Sequence, residues 1–202
     1  MTKGNSWPTW SQLALPLSLC FMALILATMP ELKDNLDWSR VDIEQGQYWR
    51  LVTGHLLHTN SYHLWMNLGG LWLIFGLHQP YYGDRTIWLV TLAMMLIIST
   101  GIYVWVADTW RYVGLSGLLH GLFTWGALLD IKCQWRSGWL LLAGVIAKVS
   151  WENVVGANAS TTALIDSRIA VESHLLGVIA ALVLFLLFQL TNYWRNCRLA
   201  NR

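Results

Sequence analysis

Long stretches of this chain carry no Asp, Glu, Lys or Arg, among them Gly4–Pro30, Thr86–Ala107, Tyr112–Leu129 and Ser173–Trp194. An α-helix needs roughly 20 apolar residues to cross a hydrocarbon core about 30 Å thick, and these runs have that scale. Backbone groups in lipid must satisfy one another, which such runs achieve as helices packed together. The composition agrees, at 55% hydrophobic and 12% charged residues, whereas soluble domains average roughly 45–50% and about 25%. The expected class is an all-α polytopic membrane protein. A net charge of +2 gives no reason to invoke nucleic acid. Membrane lipid is the expected surrounding.

Six spans are expected, at about 13–29, 61–78, 86–106, 115–129, 137–150 and 169–191. The first is too long for a signal peptide and lacks the A-x-A cleavage pattern. The fifth is short, and Lys148 must snorkel from its end. Residues 30–60 form a long polar connection carrying Glu31, Asp34, Asp37, Asp42 and Glu44 beside Tyr48 and Trp49. It is expected to lie on the membrane surface, with Arg50 ordering it by bonding to its carbonyls. A single domain, 1–202, is expected: residues 1–12 and a basic tail 192–202 flank the 13–191 core. Nine of the 14 tryptophans, among them Trp88, Trp110 and Trp139, fall near expected helix ends, as interfacial belts do. Cys20, Cys133 and Cys197 are too far apart in sequence to suggest a metal-binding pair or a disulfide framework.

Lys3, Arg85, Lys132, Arg136, Arg195, Arg198 and Arg202 would share one side of a six-span bundle. The opposite side holds its basic residues in longer loops. The basic density places both termini in the cytoplasm.

Polar groups interrupt three spans at one depth. The second carries His63 and Asn67, one turn apart. The fourth begins in YVGLSGLLHGLFTWG, where Ser116, Gly117, His120 and Gly121 share a face. The sixth carries His174. Polar side chains in lipid usually face a protein interior or cavity. Gly117-x-x-x-Gly121 on the fourth span and Ser173-x-x-x-Gly177-x-x-x-Ala181 on the sixth allow close approach of two backbones. If those faces meet, His174 can reach Ser116 and act as base to a serine nucleophile. His63, Asn67 and the Ser116 amide at a helix N-terminus would supply oxyanion donors. Glu172 is the acid nearest His174 in sequence but lies on another face of the helix, so a two-residue Ser–His device is expected.

Gly114-Leu115-Ser116-Gly117 resembles the GxSG motif of rhomboid intramembrane serine proteases. His63-x-x-x-Asn67 matches the family's HxxxN. Glu172-Ser173-His174-Leu175-Leu176-Gly177 is similar to its last-helix segment, and Tyr48-Trp49-Arg50 followed by His58 is similar to its first loop. The resemblance runs from about residue 47 to 184. It implies a six-transmembrane-helix rhomboid fold with a water-filled cavity open to the outer face. It further implies Ser116 as nucleophile, His174 as general base, and His63, Asn67 and the Ser116 amide as the oxyanion hole. Gly114, Leu115, Gly117, His120, Gly121 and Gly177 would be supporting residues. It implies transmembrane protein substrates cut near their ends, with no cofactor and no metal.

The GLSGLLHG segment and the absence of a soluble domain further resemble the bacterial rhombosortase subgroup. That subgroup is associated with C-terminal Gly-Gly sorting tails on exported proteins, and so with the bacterial inner membrane. Two departures stand out. His120 replaces an aromatic that stacks on the catalytic histidine in many bacterial members. His78-Gln79-Pro80 does not reproduce the acidic ExxxG segment that follows the second helix. Three other readings stay open. The polar cluster could be a transport pathway, or the chain a non-catalytic relative that binds membrane helices. His55, His58 and His63 could hold a metal, although neither Cys nor carboxylate completes a closed set.

Overall fold

The computed structural model describes residues 7–200, with side chains described as far as residue 190. The side chains of Lys3, Arg195, Arg198 and Arg202, on which part of the expected orientation rests, lie outside the described residues, as does that of Cys197. Six long helices make up the body: α1 (Trp10–Ala27), α2 (Ser61–His78), α3 (Thr86–Trp105), α4 (Ser116–Lys132), α5 (Arg136–Val155) and α6 (Val171–Ala200). Of these, α1, α3, α5 and the Val171–Leu190 part of α6 are long and apolar enough to cross a membrane. The other two fall short for identifiable reasons. Helix α2 buries His63, Asn67 and His78, and α4 has only 17 residues, with Asp130 among them.

Helix α4 is the hub, packed against α2, α3, α5 and, most extensively, α6. Glycine makes that last contact possible. A Cβ on Gly177 would overlap the Gly117 carbonyl oxygen, and one on Gly121 would lie 3.0 Å from the Gly177 oxygen. The two small-residue stripes face each other and their backbones touch. Dispersion between such close surfaces holds helices together where lipid is as apolar as the side chains. Around the hub, Leu71 of α2, Met94 and Ile98 of α3, and Leu118 and Leu122 of α4 are almost wholly buried.

At the far end of α4 from Ser116, Asp130 gathers the turn after α2. Tyr81 donates its hydroxyl to Asp130 at 2.6 Å, and His78 Nε2 lies 3.7 Å from the other carboxylate oxygen. The His78 ring occupies the space a side chain at Gly126 would need. This turn has no acid of the ExxxG type, and the facing helix supplies one.

The 30–60 connection is structured by two buried or half-buried arginines. Arg50 donates to the backbone oxygens of Asp37 at 2.8 Å and Asp34 at 2.9 Å, and to the Asp37 carboxylate at 2.8 Å. It orders the loop through carbonyls, as expected, and through a buried ion pair as well. Arg40 donates to the oxygens of Tyr103 (2.8 Å), Val106 (2.9 Å), Thr109 (3.1 Å) and Ile102 (3.3 Å). Those include carbonyls that the end of α3 leaves without helical partners. Trp38–Ser39 then pairs antiparallel with Arg111–Tyr112, in the register Trp38 to Tyr112. That ladder brings the first loop against the segment leading into α4.

The fifth helix is longer than the sequence suggested: α5 continues to Val155, five residues past its expected end. Hydropathy fades at Trp151-Glu152-Asn153, but the helix is carried on by side-chain bonds. Lys148 pairs with Glu152 at 2.6 Å one turn away, and Asn153 donates to Val149 O at 2.8 Å and to Val171 O of α6 at 3.3 Å. Gly156, at φ 97°, ends it. A short helix, Ala159–Ile165, follows. It is tied to the start of α2 by Asn60 bonding to Leu164 O at 3.0 Å and Thr59 to Ile165 O at 2.8 Å.

Candidate active site

Ser116 is the first residue of α4. The turn before it is held from both sides. Gly114 donates its N–H to Gly54 O at 3.1 Å and accepts the Tyr112 hydroxyl at 2.8 Å. At φ 126° its backbone conformation disfavours L side chains, and a Cβ there would sit 2.8 Å from the His63 ring. Gly114 therefore lets His63 lie against the turn that presents the serine.

The contact between α4 and α6 brings Ser116 Oγ within 3.0 Å of His174 Nε2. His174 Nδ1 lies 2.9 Å from Glu152 Oε2, on a third helix. The other Glu152 oxygen accepts from Lys148 Nζ at 2.6 Å. Lys148 Nζ is also 3.1 Å from His120 Nε2, and His120 Nδ1 lies 2.7 Å from the Ser116 carbonyl oxygen. The imidazoles of His120 and His174 stack, with centroids 4.2 Å apart and planes 17° from parallel. The groups close a ring: serine, histidine, glutamate, lysine, histidine, and back to the serine's own backbone.

The partners fix where protons sit. A carbonyl oxygen only accepts, so His120 carries its proton on Nδ1 and offers a lone pair at Nε2 to the Lys148 ammonium. A carboxylate likewise only accepts, so His174 carries its proton on Nδ1. Its Nε2 lone pair is left to receive the Ser116 hydroxyl proton. That is the tautomer a general base requires.

The third group departs from the expected two-residue device. On His174's own helix the acid is Glu172, which pairs with Arg168. Glu152 arrives from α5. The Lys148–Glu152 spacing of four residues was the available signal, hidden because the expected span stopped at residue 150. Lys148 does not simply snorkel to water: it bonds to both Glu152 and His120.

His63 and Asn67 sit one turn apart on α2, and both are buried. Asn67 Nδ2 is 3.8 Å from where a Gly114 side chain would be and has no hydrogen-bond partner among the described residues. His63 Nδ1 is 3.1 Å from Thr59 Oγ1. His58 packs edge-to-face on His63, with centroids 5.0 Å apart.

His55 bonds through Nε2 to Met95 O and Ser99 Oγ, both at 3.0 Å, so it is engaged with α3. His120, Glu152 and His174 present ligand atoms within 4.8 Å of one another. Their geometry suits an ammonium better than a metal: the free lone pair of His120 faces Lys148 whereas that of His174 faces Ser116, and Lys148 already bridges Glu152 and His120.

Two cavities meet at Ser116. One, of about 640 Å³, is lined by Ser116, His174, His63 and Asn67 together with charged groups that include Asp34, Arg111 and Arg168. The other, of about 460 Å³, is an apolar groove between α2 and α5, lined by Leu73, Ile74, Phe123, Leu140 and Val145. Ser116, Asn67, His120 and Lys148 line both.

Residues 45–190 match the Rhomboid domain family, which is well over half of the chain. Over 91 residues the sequence is 30% identical to a Bacillus subtilis (strain 168) protein named "Putative rhomboid protease YdcA"; the match spans 45% of this chain and 46% of that protein.

Proposed function

The chain belongs to the rhomboid family, and on that premise we propose that it is an intramembrane serine endopeptidase. Ser116 is the nucleophile and His174 the general base. The observation that carries this reading is the 3.0 Å bond from Ser116 Oγ to His174 Nε2. It joins an alcohol to a correctly protonated imidazole at the meeting point of a polar cavity and an apolar groove. The groove suits an apolar helix, and the polar cavity admits water.

In the reaction, Oγ attacks the scissile carbonyl carbon as Nε2 takes its proton. The oxyanion that develops faces Asn67 Nδ2, His63 and the Ser116 amide. The amide is one of the first-turn N–H groups for which an α-helix has no internal acceptor. Collapse of the tetrahedral species breaks the C–N bond, and the imidazolium returns its proton to the leaving amine. Water, deprotonated by the same base, then hydrolyses the acyl-enzyme and regenerates Ser116.

In the finer reading, six spans cross the bacterial inner membrane with both termini cytoplasmic, and cleavage takes place near the outer face. The substrates are transmembrane segments, in particular C-terminal Gly-Gly sorting tails of exported proteins. A fluorophosphonate probe should label wild-type protein in membranes and leave Ser116→Ala unlabelled. A transporter or a helix-binding relative would not label at Ser116. A reporter with a Gly-Gly tail should be trimmed by the wild type alone. Trimming that persists in Ser116→Ala would refute the substrate assignment.

A further inference from the structure

We infer that Glu152 completes a Ser116–His174–Glu152 triad, and that Lys148 is the residue that keeps Glu152 ionised and aimed. This deepens the protease reading above and rests on it. Family membership does not supply it: the sequence, read with the family in mind, leads to two catalytic side chains.

The geometry is specific. Glu152 Oε2 meets His174 Nδ1 at 2.9 Å, on the opposite side of the imidazole from Ser116. Its other oxygen is bound at 2.6 Å by Lys148, so the carboxylate is gripped at both ends. A neutral imidazole in an apolar site can protonate either nitrogen. A carboxylate at Nδ1 selects the tautomer with the lone pair at Nε2, and it stabilises the imidazolium formed once the serine proton has transferred. Lys148 in turn is shared with His120, whose ring covers one face of His174. Every charged or titratable group that meets His174 in this ring thus has an assigned partner.

The arrangement also ties the base to α5, which buries few of its residues: only Gly138, Val145 and Val149 are fully covered. The carboxylate that orients His174 thus comes from a helix largely uncommitted to the core. Glu152 acts on the serine through His174, and Lys148 acts through Glu152, so both are positioning residues.

The test uses full-length protein in micelles, with a transmembrane peptide substrate and a fluorophosphonate probe. Glu152→Gln keeps the size and removes the charge. It should lower kcat by about 10- to 1,000-fold with KM changed less than about threefold, and slow labelling in proportion. Lys148→Met should lower kcat less, by about 3- to 30-fold. Histidine ¹⁵N resonances supply a readout that mere structural support would not move. Wild-type His174 should show the Nδ1–H tautomer, and Glu152→Gln a mixture or the Nε2–H form, while thermal melting stays near wild type.

Wild-type kcat and tautomer in Glu152→Gln would overturn the inference while leaving the protease reading intact. The same holds if its kcat falls only as far as its folded fraction does, without a tautomer change. A wild type that neither labels nor cleaves would overturn both.

Discussion

An alkyl hydroxyl ionises far above neutral pH, so Ser116 depends on what surrounds it. Two histidines lie within reach in sequence or space, and the structure gives them different work. His174 Nε2 faces the hydroxyl, whereas His120 has its Nδ1 proton on the Ser116 carbonyl and its Nε2 on Lys148. His120 therefore contributes a stacking surface and an anchor for the lysine. His174→Ala should abolish turnover. His120→Ala should reduce kcat by about 10-fold, the scale of losing a buried contact worth about 1.4 kcal/mol in the transition state. Peptide-cleavage kinetics on the two variants check the ranking, and the reverse order would reassign the base. His63 and Asn67 are legible as a one-turn pair because that pattern is local. Glu152 is not, because its relation to His174 spans 22 residues and two helices.

At the scale of elements, the site exists because α4 and α6 touch at their backbones. Gly177→Ala puts a methyl group onto the Gly117 carbonyl. The helices must separate, and the hydrogen bond between Ser116 and His174 lengthens with them. Overpacking of this kind typically costs about 1–3 kcal/mol, and here it should also cut fluorophosphonate labelling at least about 10-fold. Gly76, on α2, has nothing within 4 Å of its would-be Cβ. Gly76→Ala should leave labelling unchanged and hold or raise the melting temperature, since alanine favours helix by about 1 kcal/mol. Equal effects of the two substitutions would mean that the contact between α4 and α6 does not set the site's geometry.

On the scale of the whole molecule, the first loop is locked to the bundle by His55. Its Nε2–H is shared by Met95 O and Ser99 Oγ, and Ser99 donates onward to Leu51 O at 2.6 Å. Burial pushes His55 down to about 4, against about 6.5 for a free imidazole. Between those values the unfolded chain binds a proton that the native one refuses. Stability is therefore full above about pH 6.5 and lost as pH falls toward about 4, by on the order of 1–3 kcal/mol. His58, pushed down to about 3 mainly by its burial, acts in the same direction. Melting in micelles from pH 7.5 to 5 should show the loss, with a shallower slope in His55→Gln. An unchanged slope in that variant would remove His55 from the account.

What the sequence determined by itself was everything that depends on short-range periodicity or on the solvent. Uncharged runs too long for a water-facing loop dictated helices in lipid. Glycines and serines at four-residue spacing marked the faces on which helices could close, and the placement of Ser116, His63, Asn67 and His174 near helix ends at one depth marked a site. Residues brought together from different helices were decided only by tertiary structure. The reach of α5 to Val155, Asp130 standing in for the acid missing after α2, and the Glu152 carboxylate behind His174 all depend on how helices rotate and slide against one another. Side-chain pairing across those contacts fixes such rotations, and a pattern read along one helix holds no record of its neighbour's register.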